Sequence, residues 1–232
     1  MKVIDFHSHV LPGIDDGSRN LETSLDILNT CMKNGVDTMV ATPHFYADCD
    51  RVEDFITRRN NAYELVKNAY SLDKPEIILG AEVAYFEGMA KADRLETLTI
   101  GETRNMLLEM PFRTWKSYDI DQIEYLIYGR NFHIIVAHLE RYLNIPGNKK
   151  MISSVLELPV SIQVNAESLL DKKSKKNIIK YIKKERVHVL GSDCHGMHRR
   201  PPNLWEGRRV IEDCLGFEAL KRIDEEGNRL LG

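Results

Sequence analysis

The chain has 232 residues, 43% of them hydrophobic and 29% charged, which supports one sizeable core and excludes a mainly disordered polypeptide. Lys plus Arg number 32 and Asp plus Glu 35, for a net charge of −3, so bulk charge draws the chain neither to nucleic acid nor to anionic membrane. No apolar run reaches the roughly 20 residues of a membrane span. Charged residues follow Met1 at once, so neither a signal peptide nor membrane insertion is expected.

Along the chain, short β-branched runs alternate with stretches of helical period, the rhythm of βα units around a parallel sheet. The first expected strand, Val3 to His7, leads to a helix in which Leu21, Leu25, Leu28 and Met32 share a face. Ser18 or Asn20 can cap its start, and Gly35 suits the position beyond its end. Further strands are expected at Thr38 to Thr42 and Glu76 to Glu82, separated by a helix with Phe55, Ala62, Leu65, Val66 and Ala69 on its apolar face. Four more follow at Asn105 to Met110, His133 to His138, Val160 to Asn165 and Val187 to Asp193. Between the last two, Ile178, Ile179 and Ile182 mark a helix whose lysines coat a solvated face, so the basic stretch Lys172 to Arg186 is not read as a nucleic-acid site. Seven strands alternating with helices predict a barrel or a doubly wound sheet, with residues 1–232 as a single domain. Cys31, Cys49, Cys194 and Cys214 lack the spacing of a disulfide framework, which fits reduced thiols and a cytoplasmic protein.

The metal-competent residues gather at the carboxyl ends of these strands: His7, His9, His44, Glu82, Glu109, His138, Asp193 and His195, with Asp16 in the first loop. In a parallel barrel those ends form one face, where such folds build their sites. His7 and His9 stand two apart on an extended strand and can grip one ion from the same side. Mixed imidazole and carboxylate donors suit zinc, manganese or iron, and nine side chains exceed what one ion can use, so at least two ions are implied. His133 and His188, by contrast, read as structural histidines.

The segments Asp5-Phe6-His7-Ser8-His9, Gly13-Ile14-Asp15-Asp16-Gly17-Ser18, Thr42-Pro43-His44, Gly80-Ala81-Glu82, Leu108-Glu109, Ala137-His138-Leu139-Glu140-Arg141, Ser192-Asp193-Cys194-His195 and Arg200-Pro201-Pro202 span nearly the whole chain. Together they resemble the PHP (polymerase and histidinol phosphatase) domain family, and within it the manganese-dependent tyrosine-protein phosphatases of bacterial capsule loci, the CpsB type. The resemblance implies a distorted (β/α)7 TIM-like barrel holding three divalent ions, manganese first, with iron, zinc, cobalt or magnesium as alternatives. By the same resemblance His7, His9, Glu82 and Asp193 hold one ion, Glu82, Glu109 and His138 a second, and Asp16, His44 and His195 a third. Asp16 matches the family's ligand better than Asp15, although spacing alone lets the two exchange roles. Arg141 and Arg200 match arginines that hold phosphate oxygens through a planar fork.

Three divalent ions outweigh four carboxylates and one hydroxide, leaving a positive hole for a phosphate monoester, so in-line attack of hydroxide on phosphorus is the expected reaction. The implied substrate is a phosphotyrosine protein, the tail of a bacterial tyrosine autokinase regulating capsular or exopolysaccharide synthesis. Tyr85, Phe86, Trp115, Tyr118 and Tyr142 are candidates to line a cleft for the phenolic ring. Three competing readings remain: a phosphatase for a small monoester such as histidinol phosphate, a nuclease, and a non-catalytic metal-binding module. Cys194 to Arg200 also satisfies C-x5-R, but Cys194 is wedged between two expected ligands and prolines follow the arginine, so a cysteine mechanism is not expected.

Overall fold

The computed structural model describes residues 1–232. Its strands are β1 (Ile4–Ser8), β2 (Thr38–Ala41), β3 (His44–Phe45), β4 (Glu76–Leu79), β5 (Glu82–Ala84), β6 (Asn105–Glu109), β7 (His133–Val136), β8 (Ser161–Asn165) and β9 (Val189–Gly191). The helices are α1 (Leu21–Lys33), α2 (Val52–Ala69), α3 (Ser117–Glu124), α4 (Asn148–Val155), α5 (Glu167–Leu170), α6 (Lys172–Lys183), α7 (Leu204–Leu215) and α8 (Phe217–Leu231). No helix is long and apolar enough to cross a membrane.

All strand pairs are parallel and run in two sets, β1-β2-β4 and β3-β5-β6-β7-β8-β9. The expected single strand Glu76 to Glu82 is broken at Gly80-Ala81, and the chain after β2 is broken at Thr42-Pro43. Pro43 has no N–H to give the ladder. The Gly80 carbonyl instead accepts from the Arg59 guanidinium at 2.9 Å. The breaks lie side by side, with Gly80 N–H donating to the Ala41 carbonyl at 2.9 Å and Glu82 N–H to the Pro43 carbonyl at 3.0 Å. Both strands thus bend together and continue as β3 and β5. At the other edge Asp193 N–H donates to the His7 carbonyl at 2.7 Å and His9 N–H to the Cys194 carbonyl at 3.0 Å. The result is a mixed α/β fold around a parallel sheet that curls until its last strand meets its first.

Helices form where their apolar stripes predict them. Asn20, rather than Ser18, caps α1 by accepting from Thr23 N–H, and Gly35 lies beyond its end with φ +80°. Helix α2 buries Phe55, Arg59, Ala62 and Val66. Leu65, expected on that face, is 58% exposed; the buried Arg59 takes part of the stripe because its guanidinium reaches the broken strand. Helix α6 buries Ile178 and Ile182, as the period predicts.

Alternation along the strands separates two apolar layers. Met106, Leu108, Ile134 and Val136 join the large core between sheet and helices, while Leu107 and Ile135 join a smaller cluster with Phe6, Val40 and Val189. Glu109 shares the parity of Leu107 and therefore follows it on the inner face. Closure of the curl depends on Gly191, where a Cβ would lie 2.4 Å from the His7 Cβ. We expect Gly191→Ala to cost about 1–3 kcal/mol through overpacking, lowering Tm by several degrees in a thermal melt; an unchanged Tm would show that β1 and β9 can separate freely.

Candidate metal centre

The two bends and the closure bring all nine expected ligand residues into one cluster. His7 belongs to β1 and His9 follows it, His44 opens β3, Glu82 opens β5 rather than ending β4, and Glu109 ends β6. His138, Asp193 and His195 lie in the loops just beyond β7 and β9. His138, Asp193 and Arg200 adopt φ of +32°, +52° and +54°, left-handed conformations costly for residues with a Cβ. These residues lie in the loops that carry the side chains to the cluster.

The Glu82 carboxylate is the centre of the cluster. Its Oε2 lies 3.0 Å from His44 Nδ1, 3.1 Å from His7 Nε2 and 3.3 Å from His9 Nε2, yet it is buried without a hydrogen bond, as is His44 Nδ1. Its Oε1 meets His138 Nε2 at 2.8 Å, and Glu109 Oε1 lies 3.3 Å from the same nitrogen. Asp193 Oδ1, also without a hydrogen bond, lies 3.5 Å from His7 Nε2 and 3.4 Å from His9 Nε2. Asp16 sits at the rim, 67% exposed, with its Oδ1 3.3 Å from His195 Nε2 and 3.7 Å from His44 Nε2.

Surrounding groups fix which nitrogens carry lone pairs. His138 backbone N–H donates to Gln163 Oε1 at 2.7 Å, so that oxygen is an acceptor and His7 Nδ1, 3.3 Å away, is the donor. The Asp15 carboxylate takes the Nδ1–H of His9 at 2.7 Å and is itself held by the N–H groups of His44 and Gly17. Asp15 is therefore an orienting residue for His9 in this geometry, and Asp16 faces the other histidines. The two Nε2 atoms, 3.1 Å apart, point lone pairs at each other and at Glu82 Oε2. Such a set repels itself unless a cation, a proton or a metal ion, sits among its members.

The donors fit a divalent metal on that ground. Three triads have ligand atoms within 4.8 Å of one another: His7, His9 and Glu82; His44, Glu82 and Glu109; and His9, His44 and His195. Burial penalises charge throughout; attraction outweighs it at Glu82, Asp193, His9 and His138, whereas burial, with His9 and Arg200 nearby, pushes His195 down to about 4. Glu82 and Asp193 are held well below the usual carboxylate range, chiefly by His7 against the cost of burial. Burial likewise opposes a charge on His9, but Asp15, Asp193 and Glu82 hold its ring well above the ordinary histidine value. His138, lowered by burial but raised by Glu109 and Glu82, reaches about 9.

Both candidate phosphate arginines contact Asp193. Its Oδ2 accepts from Arg141, from Arg200 and, at 2.7 Å, from Asn165 Nδ2, which leaves Oδ1 free toward the histidines. Arg200 also donates to His195 Nε2 at 2.8 Å. Gln163 and Asn165, joined at 2.8 Å, hold His7 and Asp193 in place and were not expected from the sequence. Their signal was two polar side chains at alternate positions of an expected core strand. The aromatic expectation needs correcting, because Trp115 and Tyr142 are core. The exposed rings against the cluster are Tyr46, 39% exposed and stacked on His44, and Phe112, 57% exposed and stacked on His138. Cys194 belongs to the buried core, its thiol pushed up to about 12 by burial and by Asp5. His133 bonds Ser161, and His188 accepts from Ile162 N–H, away from the cluster.

A curled parallel sheet with a histidine and carboxylate cluster of this kind defines a metal-binding α/β protein. Residues 3–230 match the family described as Capsular polysaccharide synthesis, CpsB/CapC, and the chain belongs to that family. It is 27% identical over 233 residues to the tyrosine-protein phosphatase CpsB of Streptococcus agalactiae serotype III (strain NEM316), covering 95% of this chain and 94% of the relative. It is 26% identical to the tyrosine-protein phosphatase YwqE of Bacillus subtilis (strain 168), covering 99% and 91%. Among solved structures, one from a description of YwqE from Bacillus subtilis and CpsB from Streptococcus pneumoniae as metal-dependent tyrosine phosphatases matches with TM-score 0.84. It is 23% identical and covers 99% of this chain and 94% of that one, a likeness of fold. The inactive dihydroorotase-like domain of a Chaetomium thermophilum multifunctional protein shares the fold more distantly, at TM-score 0.50 and 10% identity over 95% of this chain and 75% of that one.

Metal binding must displace the protons that the raised His9 and His138 carry at pH 7. Calorimetric titration of chelator-treated protein with Mn2+ in two buffers of different ionisation enthalpy should therefore show net proton release at pH 7. Binding without proton release at that pH would contradict this electrostatic account. Cys194→Ser should keep metal content and turnover within about twofold of the parent. Its complete inactivation at full metal content would restore the cysteine mechanism.

Proposed function

We propose that this chain is a metal-dependent protein-tyrosine phosphatase. Residues 1–232 form one PHP-type domain, a distorted (β/α)7 TIM-like barrel, acting in the cytoplasm. The reading is carried by Glu82 Oε2, buried and without a hydrogen bond among three imidazole nitrogens at 3.0–3.3 Å. The barrel reading draws support from the hydrogen bonds that continue across both strand breaks and between β1 and the segment after β9.

His7, His9, Glu82 and Asp193 would hold one ion, Glu82, Glu109 and His138 a second, and Asp16, His44 and His195 a third, with manganese the first choice and Fe, Zn, Co or Mg alternatives. Divalent ions there supply Lewis acidity, offsetting phosphate charge and making water acidic enough to ionise near neutral pH. Arg141 and Arg200 hold the phosphate oxygens. Anchored on Asp193, their forks are set before substrate arrives and keep further N–H groups for it. Tyr46 and Phe112 flank the centre and pack against the phenolic ring. The leaving phenolate, with a pKa near ~10, needs less protonation than an alkoxide. The relatives' names favour a phosphotyrosine protein as substrate and the family's description favours capsular polysaccharide synthesis as the setting, and we assign the tail of a bacterial tyrosine kinase that governs capsular or exopolysaccharide synthesis.

Mn2+-loaded protein should hydrolyse a phosphotyrosine peptide with kcat/KM at least tenfold above a matched phosphoserine peptide or histidinol phosphate, and leave single-stranded DNA intact. Chelation should abolish turnover. Equal or better rates on histidinol phosphate or DNA would reassign the substrate, and inactivity on every monoester with each metal would favour a binding module.

A further inference from the structure

A cavity of about 610 Å3 opens beside Asp16, His195 and Arg200, a volume typical of ligand sites. The reaction proposed above uses only its inner wall. The outer wall is cationic: Arg19, next to the cap of α1, and Arg199, in the loop after β9, reach it from opposite ends of the chain, and both are exposed. Met197 is the one hydrophobic residue lining it.

The charges in this cavity are unevenly committed. Asp15 is bound to His9 and to two backbone N–H groups. Asp16 faces His44 and His195, and Arg200 is tied to Asp193 and His195. Arg19 and Arg199 hold no carboxylate. Two guanidinium groups without carboxylate partners on the wall of one concave polar site present a positive field to an anion that enters it, a field that added salt weakens. An apolar residue has almost nothing to pack on there.

We propose that this cavity is a subsite for an anionic side chain, carboxylate or phosphate, adjoining the phosphotyrosine in the substrate chain and held by Arg19 and Arg199. The inference rests on the phosphatase reading. Residues of an extended peptide advance ~3.3–3.6 Å each, so with the phosphorylated tyrosine at Arg200 its near neighbours enter the same cavity. Specificity then comes from charge beside the tyrosine, independently of the metal chemistry.

The test compares wild type with Arg19→Ala/Arg199→Ala, both Mn2+-loaded, on free phosphotyrosine and on phosphotyrosine peptides flanked by Glu, by Gln or by a second phosphotyrosine. Exposed ion pairs are individually weak, so two of them predict a three- to tenfold wild-type preference, roughly, for anionic flanks over Gln. That preference should reside in KM, weaken with added salt and disappear in the double variant, which still hydrolyses free phosphotyrosine at the wild-type rate. Whether the Glu or the doubly phosphorylated peptide is preferred identifies the anion. Equal kcat/KM in wild type on Gln flanks and on both anionic flanks, or a preference that survives in the double variant, would overturn the subsite. Failure of wild type on free phosphotyrosine as well as on every peptide would instead overturn the phosphatase reading beneath it.

Discussion

The fold is organised around a repulsion. Nitrogen and oxygen lone pairs from His7, His9, His44, Glu82 and Asp193 converge within 3.0–3.5 Å, and in a buried setting such a set is tolerable only around positive charge. Holding it together takes a rigid frame. Backbone hydrogen bonds supply one: β1 is locked on one side to β2 and on the other to the segment after β9, so His7 and His9 cannot retreat. Gly191 lets those backbones approach, and the bends at Thr42-Pro43 and Gly80-Ala81 place His44 and Glu82 opposite each other in register.

Around this centre, Gln163, Asn165 and the Asp15 carboxylate do the orienting, and the two arginines do the balancing. Gln163 takes its direction from a backbone N–H that cannot flip, passes it to His7, and through Asn165 fixes Asp193. His7 thereby presents a chosen nitrogen, as His9 does through Asp15, the usual task of an outer hydrogen-bond layer at metal sites. Arg141 and Arg200 both meet Oδ2 of Asp193, which neutralises that oxygen and leaves Oδ1 for the centre. One carboxylate therefore joins the metal-binding and phosphate-binding halves of the proposed chemistry. Replacing either arginine would alter ligand charge as well as substrate contact.

Much of this was legible in the sequence because its signals are local. A β-branched run followed by histidine or carboxylate marks both a strand and the end at which these side chains gather, so the cluster and the sheet could be read together. The strand breaks were less visible. Ile77 to Ala81 is a continuous apolar run between Glu76 and Glu82, and the carbonyl freed at its break is taken by Arg59, a helix residue 21 positions away. Gln163 and Asn165 on β8 were passed over because a polar residue in a core strand has no meaning until its partners from β1 and β7 are known. The aromatic residues failed for a related reason: Trp115 and Tyr142 follow strand ends as Tyr46 and Phe112 do, and only packing decides which rings face solvent.

The mildly acidic net charge of −3 is a poor guide to what the surface attracts. Carboxylates at the centre, Glu82, Glu109, Asp193 and Asp16, are directed inward or toward histidines and would be offset by bound cations. The field at the mouth is then set by what remains uncommitted, and Arg19 and Arg199 are the groups left there. A globally acidic chain can in this way present a locally positive entrance, because electrostatic steering depends on how charges are paired and screened near the cleft and only weakly on their sum.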